Sequence, residues 1–522
     1  MKNTLKIVFR TDASLKIGTG HVMRCLTLAH KLKQNDADCQ FICRAHEGNL
    51  LKKIHNEGFK VTALTTEAPT SYEIKKDEEV LDHAYWLDTH WRVDADQTIQ
   101  ALHETPDWLI VDNYALDANW EITVRPHCKK IMVIDDLADR KHDCDLLLDQ
   151  NLIKGMEFRY NNLHSASCIS LLGPNYALLQ SQYERLHEIK RLKTNQVSRI
   201  FVFFGGFDNH NLTSLVISAF LDLERPDITL DVVINQASLD APLIIEQTQN
   251  CNNINLHNML PSLAPLILNA DLAIGAGGVN SWERCCLGLP SLVITTANNQ
   301  QPIATELDRR SIVRYLGHHD CVTKPMLTNS LKDFLDNESI SDWSNRCWDL
   351  VDAKGAERIA SYLLVNSHTQ LKTRIATKDD EELLLRWSND SLVRKNALNP
   401  KIINSEEHHK WFEKRLYDAS SCKIFIIETE KGFPIGNVRF ELADESWEIS
   451  FALDPFARGK GLGNKMVETS IKAFQEYNSK ALLIGRVKKD NLPSKKIFEN
   501  MAFTISESTD EESFYRYFLR LN

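Results

Sequence analysis

The sequence lacks the features that would mark several protein classes. Among its 522 residues no run approaches the roughly 18 uninterrupted apolar positions of a bilayer-spanning helix. The opening Met1-Lys2-Asn3-Thr4-Leu5-Lys6-Ile7-Val8-Phe9 has too short an apolar centre for a secretory signal and runs straight into Arg10 and Asp12. It reads as a first buried strand, so a cytoplasmic location with no membrane partner is expected. An excess of positive charge is also missing: 61 Lys and Arg face 71 Asp and Glu, a net charge of −10. That balance argues against non-specific nucleic-acid binding, which depends on neutralising phosphates. Small anionic ligands stay open, because local amides and a few cations suffice for them. The twelve cysteines, scattered from Cys25 to Cys422, contain no Cys-x-x-Cys. Zinc sites need closely spaced ligand pairs, and no acidic triplet suggests another ion. Reduced thiols and no metal are the expectation. Repeats and low-complexity tracts are missing too.

What is present is an ordinary globular mixture, 43% apolar and 25% charged, long enough for about three domains. Up to about residue 185, apolar strands alternate with helical segments. Strand-like runs are Lys6–Phe9, Cys39–Cys43, Trp108–Asp112 and Lys130–Asp135, and the last two end in acidic residues. A polar connector, His187–Val197, leads to a second α/β unit with strands at Ser198–Phe204, Leu230–Ile234, Ala270–Gly275 and Ser291–Ile294. Beyond about residue 371 the pattern turns antiparallel, with strands at Lys423–Glu428, Gly436–Phe440 and Trp447–Leu453. Helices near Gly463–Tyr477 and Pro493–Asn500 flank a strand at Ala481–Ile484, and Val365–Thr369 reads as a linker. The expected architecture is α/β: two Rossmann-like domains, 1–187 and 196–365, followed by an α+β domain, 371–522.

Three loops carry chemistry. After the first strand comes Asp12-Ala13-Ser14-Leu15-Lys16-Ile17-Gly18-Thr19-Gly20-His21-Val22-Met23-Arg24. Gly18 and Gly20 let the backbone turn tightly and approach a bound substrate or UDP, and the following helix offers unpaired amides and a positive dipole end. His21 then sits at a helix N-terminus, which disfavours imidazolium and leaves a neutral base able to take a proton from water. Asp12 is the candidate to orient it or to bind the water. A plain strand-to-helix turn capped by His21 explains the spacing equally well.

The second loop, Ile274-Gly275-Ala276-Gly277-Gly278-Val279-Asn280-Ser281-Trp282-Glu283, also joins strand to helix. Its amides, with Asn280 and Ser281, suit a diphosphate, and Glu283 one turn in suits ribose hydroxyls. A purely structural glycine turn is the alternative. The third loop, Arg458-Gly459-Lys460-Gly461-Leu462-Gly463, opens a long helix after the Trp447–Leu453 strand. Its glycines free a row of amides for a pyrophosphate, with charge from Arg458 and Lys460. Downstream, Asn491 and Ser494 lie in Asn-x-x-Ser spacing. No Gly-Lys-Ser/Thr follows, which weighs against an ATP phosphate loop.

The first loop resembles the opening of the UDP-sugar hydrolases of pseudaminic acid biosynthesis, which remove UDP from UDP-2,4-diacetamido-2,4,6-trideoxy-β-L-altropyranose. Further blocks extend the likeness over about residues 1–365: Ile110–Tyr114, Val133–Arg140, Leu148–Asn151, Leu172–Leu179 and Phe204-Gly205-Gly206-Phe207-Asp208. The resemblance implies a GT-B-like fold, His21 as the base, and a sugar site lined by Asn299 and Gln300, with Gly205, Gly206, Gly277 and Gly278 in the nucleotide cradle. Single attack by water implies inversion at the anomeric carbon. The stretch from 371 is similar to the GNAT acetyltransferases. That implies acetyl-CoA held by Phe451, Leu453, Arg458, Gly459, Gly461, Gly463, Asn491 and Ser494. Many GNAT enzymes carry a tyrosine acid where this chain has Phe498, so the acid here is another group. Glu448 is a candidate base or a solvated strand carboxylate. Together the two resemblances imply consecutive steps: N-acetylation of UDP-4-amino-4,6-dideoxy-N-acetyl-β-L-altrosamine, then release of UDP. The alternatives are a GT-B glycosyltransferase with an unrelated appended acetyltransferase, and an idle nucleotide-sugar binding module.

Overall fold

The computed structural model describes the chain except residues 1–3, 67–80, 190–195, 207, 237, 239, 338, 419, 507–513 and 522. Phe207 and most of the polar connector therefore lie outside the described residues. The chain divides into two compact units, Met1–Ala360 and Ser361–Asn522. No helix among the described residues is long and apolar enough to cross a membrane.

The first unit holds two parallel sheets. One is built from β1 (Lys6–Thr11), β2 (Asp38–Arg44), β3 (Lys60–Leu64), β4 (Trp108–Asp112), β5 (Ile131–Ile134), β6 (Leu146–Asp149) and β7 (Ile169–Leu172), in the order β3-β2-β1-β4-β5-β6-β7. The other contains β8 (Arg199–Phe203), β9 (Thr229–Ile234), β10 (Ile254–Asn258), β11 (Leu272–Ala276), β12 (Ser291–Thr295) and β13 (Arg314–His318), in the order β10-β9-β8-β11-β12-β13. Strands such as Trp108-Leu109-Ile110-Val111 are apolar at every position because helices cover both faces of a parallel sheet, and all of β4 is buried. The strand order reverses between β1 and β4, and again between β8 and β11. Such reversals open a crevice at the carboxyl ends of the strands, where ligands bind. The glycine loops after β1, β8 and β11 all sit at these two points.

The second unit carries a mixed sheet. Its strands are β14 (Leu371–Ile375), β15 (Cys422–Thr429), β16 (Pro434–Ala443), β17 (Ser446–Leu453), β18 (Leu482–Lys488), β19 (Thr504–Ser506) and β20 (Phe514–Arg520). Their order is β14-β15-β16-β17-β18-β20-β19, antiparallel except between β17 and β18. That parallel pair is joined only at Trp447↔Leu483 and Glu448↔Ile484, after which the strands part. The strand expected at Ala481–Ile484 runs on to Lys488, because β20 pairs with it as far as Lys488↔Phe514. Its charged positions do not end it, since they alternate outward from the sheet.

Two Rossmann-like sheets followed by an α+β domain is the architecture expected from the sequence. The strand anticipated at Ala270–Gly275 is displaced to Leu272–Ala276, where pairing with β8 begins at Leu272↔Ile200.

Candidate active sites

Between β1 and helix α1 (Gly20–Lys33) the chain makes a compact turn. Ser14 Oγ accepts from the amides of Lys16 and Ile17, and Gly18 N donates to Ser14 O at 2.8 Å. Gly18 lies at φ +80, the left-handed region that glycine tolerates. No side chain caps the first turn of α1, so its leading amides stay available.

His21 is buried, and its Nδ1 lies 2.6 Å from Asp112 Oδ1 at the end of β4. One turn further along α1, Arg24 grips the same carboxylate, Nε to Oδ2 at 2.6 Å and Nη2 to Oδ1 at 2.6 Å, and pairs with Asp136 through Nη1. Burial opposes the charge on Asp112, but Arg24 and His21 outweigh it and hold this carboxyl well below the usual carboxylate range. An ionised carboxylate can only accept. When the ring holds a single proton, that proton sits on Nδ1 toward the carboxylate and Nε2 keeps its lone pair. Tyr114 packs edge-on to the imidazole at 4.6 Å, and its hydroxyl donates to Asp136 at 2.6 Å. Trp86 stacks on Tyr114 at 5.3 Å, completing an aromatic wall.

Asp12 does not take the role expected of it. Its oxygens accept from Arg44 N at 2.6 Å and Asn113 Nδ2 at 2.8 Å, and pair with Arg10 Nη1 at 2.7 Å. It braces the loops while Asp112 orients the histidine. Sequence reasoning passed over Asp112, Arg24 and Tyr114, although the acidic ends of β4 and its neighbour were a visible signal.

At the second loop, Gly275 cannot carry a side chain, since a Cβ would sit 2.4 Å from Phe203 O. Gly277 faces Thr295, Val293 and Gln300, and Gly278 lies beside Gln300 Nε2, so the glycine turn and Gln300 share one site. Gln300 Oε1 is anchored by Thr296 N at 3.0 Å. Asn299 is exposed, and Asn280 is half-buried at the start of helix α2 (Asn280–Cys286). Gly205, at φ +102, and Gly206, whose carbonyl accepts from Asn235, border the same switch point.

Ser281 departs from expectation. Helical phase turns it inward, where its Oγ accepts from buried Arg284 at 3.1 Å, so it is not offered to a ligand. Glu283 is half-buried, with its Oε2 shut off from solvent. Burial lifts its carboxyl to about 7 despite hydrogen bonding with Tyr183 and the charge of Arg284. Among the described residues, no group of three or more His, Cys, Asp or Glu is arranged to hold a metal ion.

In the second unit a cavity of about 560 Å³ opens where β17 and β18 part. Phe451, Leu453, Arg458, Asn491, Ser494 and Phe498 all line it. Gly459 and Gly461 adopt φ +69 and +74 ahead of helix α6 (Leu462–Gln475), and a Cβ at Gly459 would meet open space. The loop therefore presents bare backbone to a ligand, a cradle that fits a pyrophosphate. Gly463 acts differently: a Cβ there would lie 2.6 Å from Ile497 Cδ1, so its bareness lets helix α7 (Leu492–Asn500) pack against α6. Arg458 is already engaged, donating to Leu453 O at 2.9 Å and to Asp390 at 2.8 Å. Asn491 Oδ1 caps the amide of Ser494. Glu448 is clasped by Arg486 through both oxygens, at 3.0 and 2.8 Å, and is no free base. The Phe498 ring is buried against Gly485 and stacks on Tyr517 at 5.2 Å.

Comparison with known proteins separates the two units. Residues 370–504 match the acetyltransferase (GNAT) domain family. An uncharacterized protein of Methanocaldococcus jannaschii is 24% identical over 520 residues, 96% of this chain and 96% of its own length. The UDP-2,4-diacetamido-2,4,6-trideoxy-β-L-altropyranose hydrolase of Campylobacter jejuni is 25% identical over 309 residues, 59% of this chain and 97% of its own. Among solved structures, MurG of Acinetobacter baumannii superposes with a TM-score of 0.47 and 10% identity, over 69% of this chain and 99% of its own. The C-terminal part is thus a GNAT acetyltransferase domain, and the N-terminal part is distantly similar to the hydrolase.

Proposed function

We propose that the chain catalyses two consecutive steps on a nucleotide sugar: N-acetylation of UDP-4-amino-4,6-dideoxy-N-acetyl-β-L-altrosamine, then inverting hydrolysis of UDP-2,4-diacetamido-2,4,6-trideoxy-β-L-altropyranose. The observation that carries the hydrolytic half is the buried His21–Asp112 hydrogen bond at the end of the glycine loop. UDP lies on the amides of Gly277 and Gly278, beside Asn280 and Gln300, with the sugar toward His21. His21 Nε2 takes a proton from water, and the water oxygen attacks the anomeric carbon. The bond from that carbon to the UDP oxygen breaks, and UDP leaves with the electron pair. The amides of the second loop steady its charge. Proton transfer of this kind contributes about 10²–10⁴-fold in rate. The activity for which the Campylobacter jejuni relative is named supports the choice of sugar.

In the acetyltransferase domain, acetyl-CoA supplies the acetyl thioester when bound. The 458–463 loop would hold its pyrophosphate. The sugar amine nitrogen attacks the thioester carbonyl, whose oxygen is steadied by backbone amides near Phe451. The carbon–sulfur bond breaks, and coenzyme A leaves as the thiolate and takes up the proton that the nitrogen gives up.

A paired assay tests both halves: the 4-amino UDP-sugar and acetyl-CoA are supplied, and thioester loss and free UDP are followed. Both should appear, with an inverted reducing sugar as product. His21→Ala should stop UDP release and spare thioester consumption. UDP release that persists in His21→Ala would remove the histidine from the mechanism.

A further inference from the structure

The cavity at the parting of β17 and β18 has two sides that differ in charge. Alternation along the strands decides which residues face which side. Trp447 packs edge-on to Phe474 of α6 at 5.0 Å, and Phe451 lies 5.6 Å from Phe498 of α7. The odd-numbered positions of β17 thus face α6 and α7, the helices that carry the glycine loop, Asn491 and Ser494. Glu448 and Ser450 face away, together with their cross-strand neighbours Arg486 and Arg439. That second side is covered by the helices α3 (Glu381–Ser388), α4 (Ser391–Asn396) and α5 (Ser405–Tyr417). Arg439 lies 4.9 Å over Trp411 of α5, and Lys488 Nζ donates to Lys395 O of α4 at 2.7 Å.

The pairing of the cations is uneven. Arg486 is matched by Glu448 and Arg439 by Glu441. Arg394, Lys395 and Lys488 line the cavity with no carboxylate partner among the described residues, against the single unpaired acid Asp490. Arg394 is the most constrained of the three. Its Nη1 donates to the carbonyls of Asn399 and Lys401, while its Nε is enclosed with no partner. A half-buried guanidinium with no carboxylate beside it is stabilised by an oxyanion, which its remaining Nη2 can bind in a charge-assisted hydrogen bond.

We propose that this second side binds the phosphate groups of the acceptor, with Arg394 as the anchor and Lys395 and Lys488 flanking it. The acceptor amine is thereby brought to the thioester from the side opposite the coenzyme. The inference rests on the reading of this domain as the acetylator of a nucleotide-linked amine. It excludes polyamines and peptide amino-termini, whose positive charge these three cations repel.

The test uses the full chain and two acceptors, the 4-amino sugar with and without its UDP. Arg394→Gln should raise KM for the UDP-linked amine roughly ten- to a hundredfold, the worth of a charge-assisted contact. KM for acetyl-CoA and the rate with the nucleotide-free amine should hold steady, and Arg394→Lys should recover part of the loss. Lys395→Gln, at an exposed position where folding is not at stake, should shift KM in the same direction by less. A rise in KM for acetyl-CoA instead would assign these cations to the coenzyme and overturn the proposal, as would equal losses for both amines. UDP binding to the chain saturated with coenzyme A gives a readout that needs no acetylation. The Arg394→Gln/Lys395→Gln variant should bind one UDP equivalent fewer than the parent, and unchanged binding would overturn the proposal. Should that equivalent be lost while the UDP-linked amine is never acetylated, the anion site stands and the choice of sugar falls.

Discussion

At the end of β4 every charge has a partner within the protein: Asp112 meets Arg24 and His21, and Arg24 also meets Asp136. Around the acetyltransferase cavity Arg394, Lys395 and Lys488 have none among the described carboxylates. The first arrangement fixes one side chain in one tautomer before any ligand arrives. The second holds charge in reserve for a ligand that brings its own. Water is a poor ligand with no charge to offer, so a base that must act on it is set entirely by its surroundings. A phosphorylated acceptor can instead complete the site itself.

The largest effect should come from taking the charge out of the first arrangement. Asp112→Asn leaves the His21 ring free to take the other tautomer, and UDP release should fall by about 10³–10⁴-fold with KM little changed, while acetyl transfer persists. Steady-state kinetics of the two half-reactions decide this. Parallel loss of both would mean that the change acts through global unfolding.

Next in size is the carboxyl of Glu283, lifted to about 7. A carboxyl raised above its unfolded value stabilises the fold fully at pH below about 4.5, and that contribution is lost as pH rises toward 7. Glu283→Gln should therefore gain stability relative to the parent as pH rises from 4 to 8, by up to about 3 kcal/mol. Urea unfolding at the two pH values measures it, and a gap that does not grow with pH would refute it.

The smallest effect concerns packing in the second unit. Gly485→Ala would put a methyl 2.3 Å from Phe498 Cζ, forcing the ring off Tyr517 at a cost of about 1–3 kcal/mol. Thermal unfolding should show the loss, and acetyl transfer should weaken while UDP release does not.

These sites were unequally legible in the sequence. Glycine loops after apolar strands announce themselves, because only glycine allows the turns at Gly18, Gly459 and Gly461. Partners distant in the chain do not. Asp12 looked like the natural companion of His21 because it is nine residues away, yet Asp112 stands 91 residues off and arrives only because β4 pairs with β1, Thr11 beside Asp112. Ser281 was misread for a related reason: a residue in a ligand loop looks available until the helix phase turns it toward Arg284. Arg394 and Lys395 sit in a short polar helix whose residues resemble any solvated surface. Only the parting of two strands elsewhere gives them a cavity to line.

The enclosure of the His21–Asp112–Arg24 cluster also bears on ionic strength. Mobile ions screen over about 8 Å in physiological saline, but only where they can go. They cannot enter a cluster with the solvent access of an apolar core, so brine should leave the alignment of His21 intact. Lys395 and Lys488 stand within reach of that ionic atmosphere. Of the two halves, the capture of an amine through its phosphates is the one that added salt should weaken first.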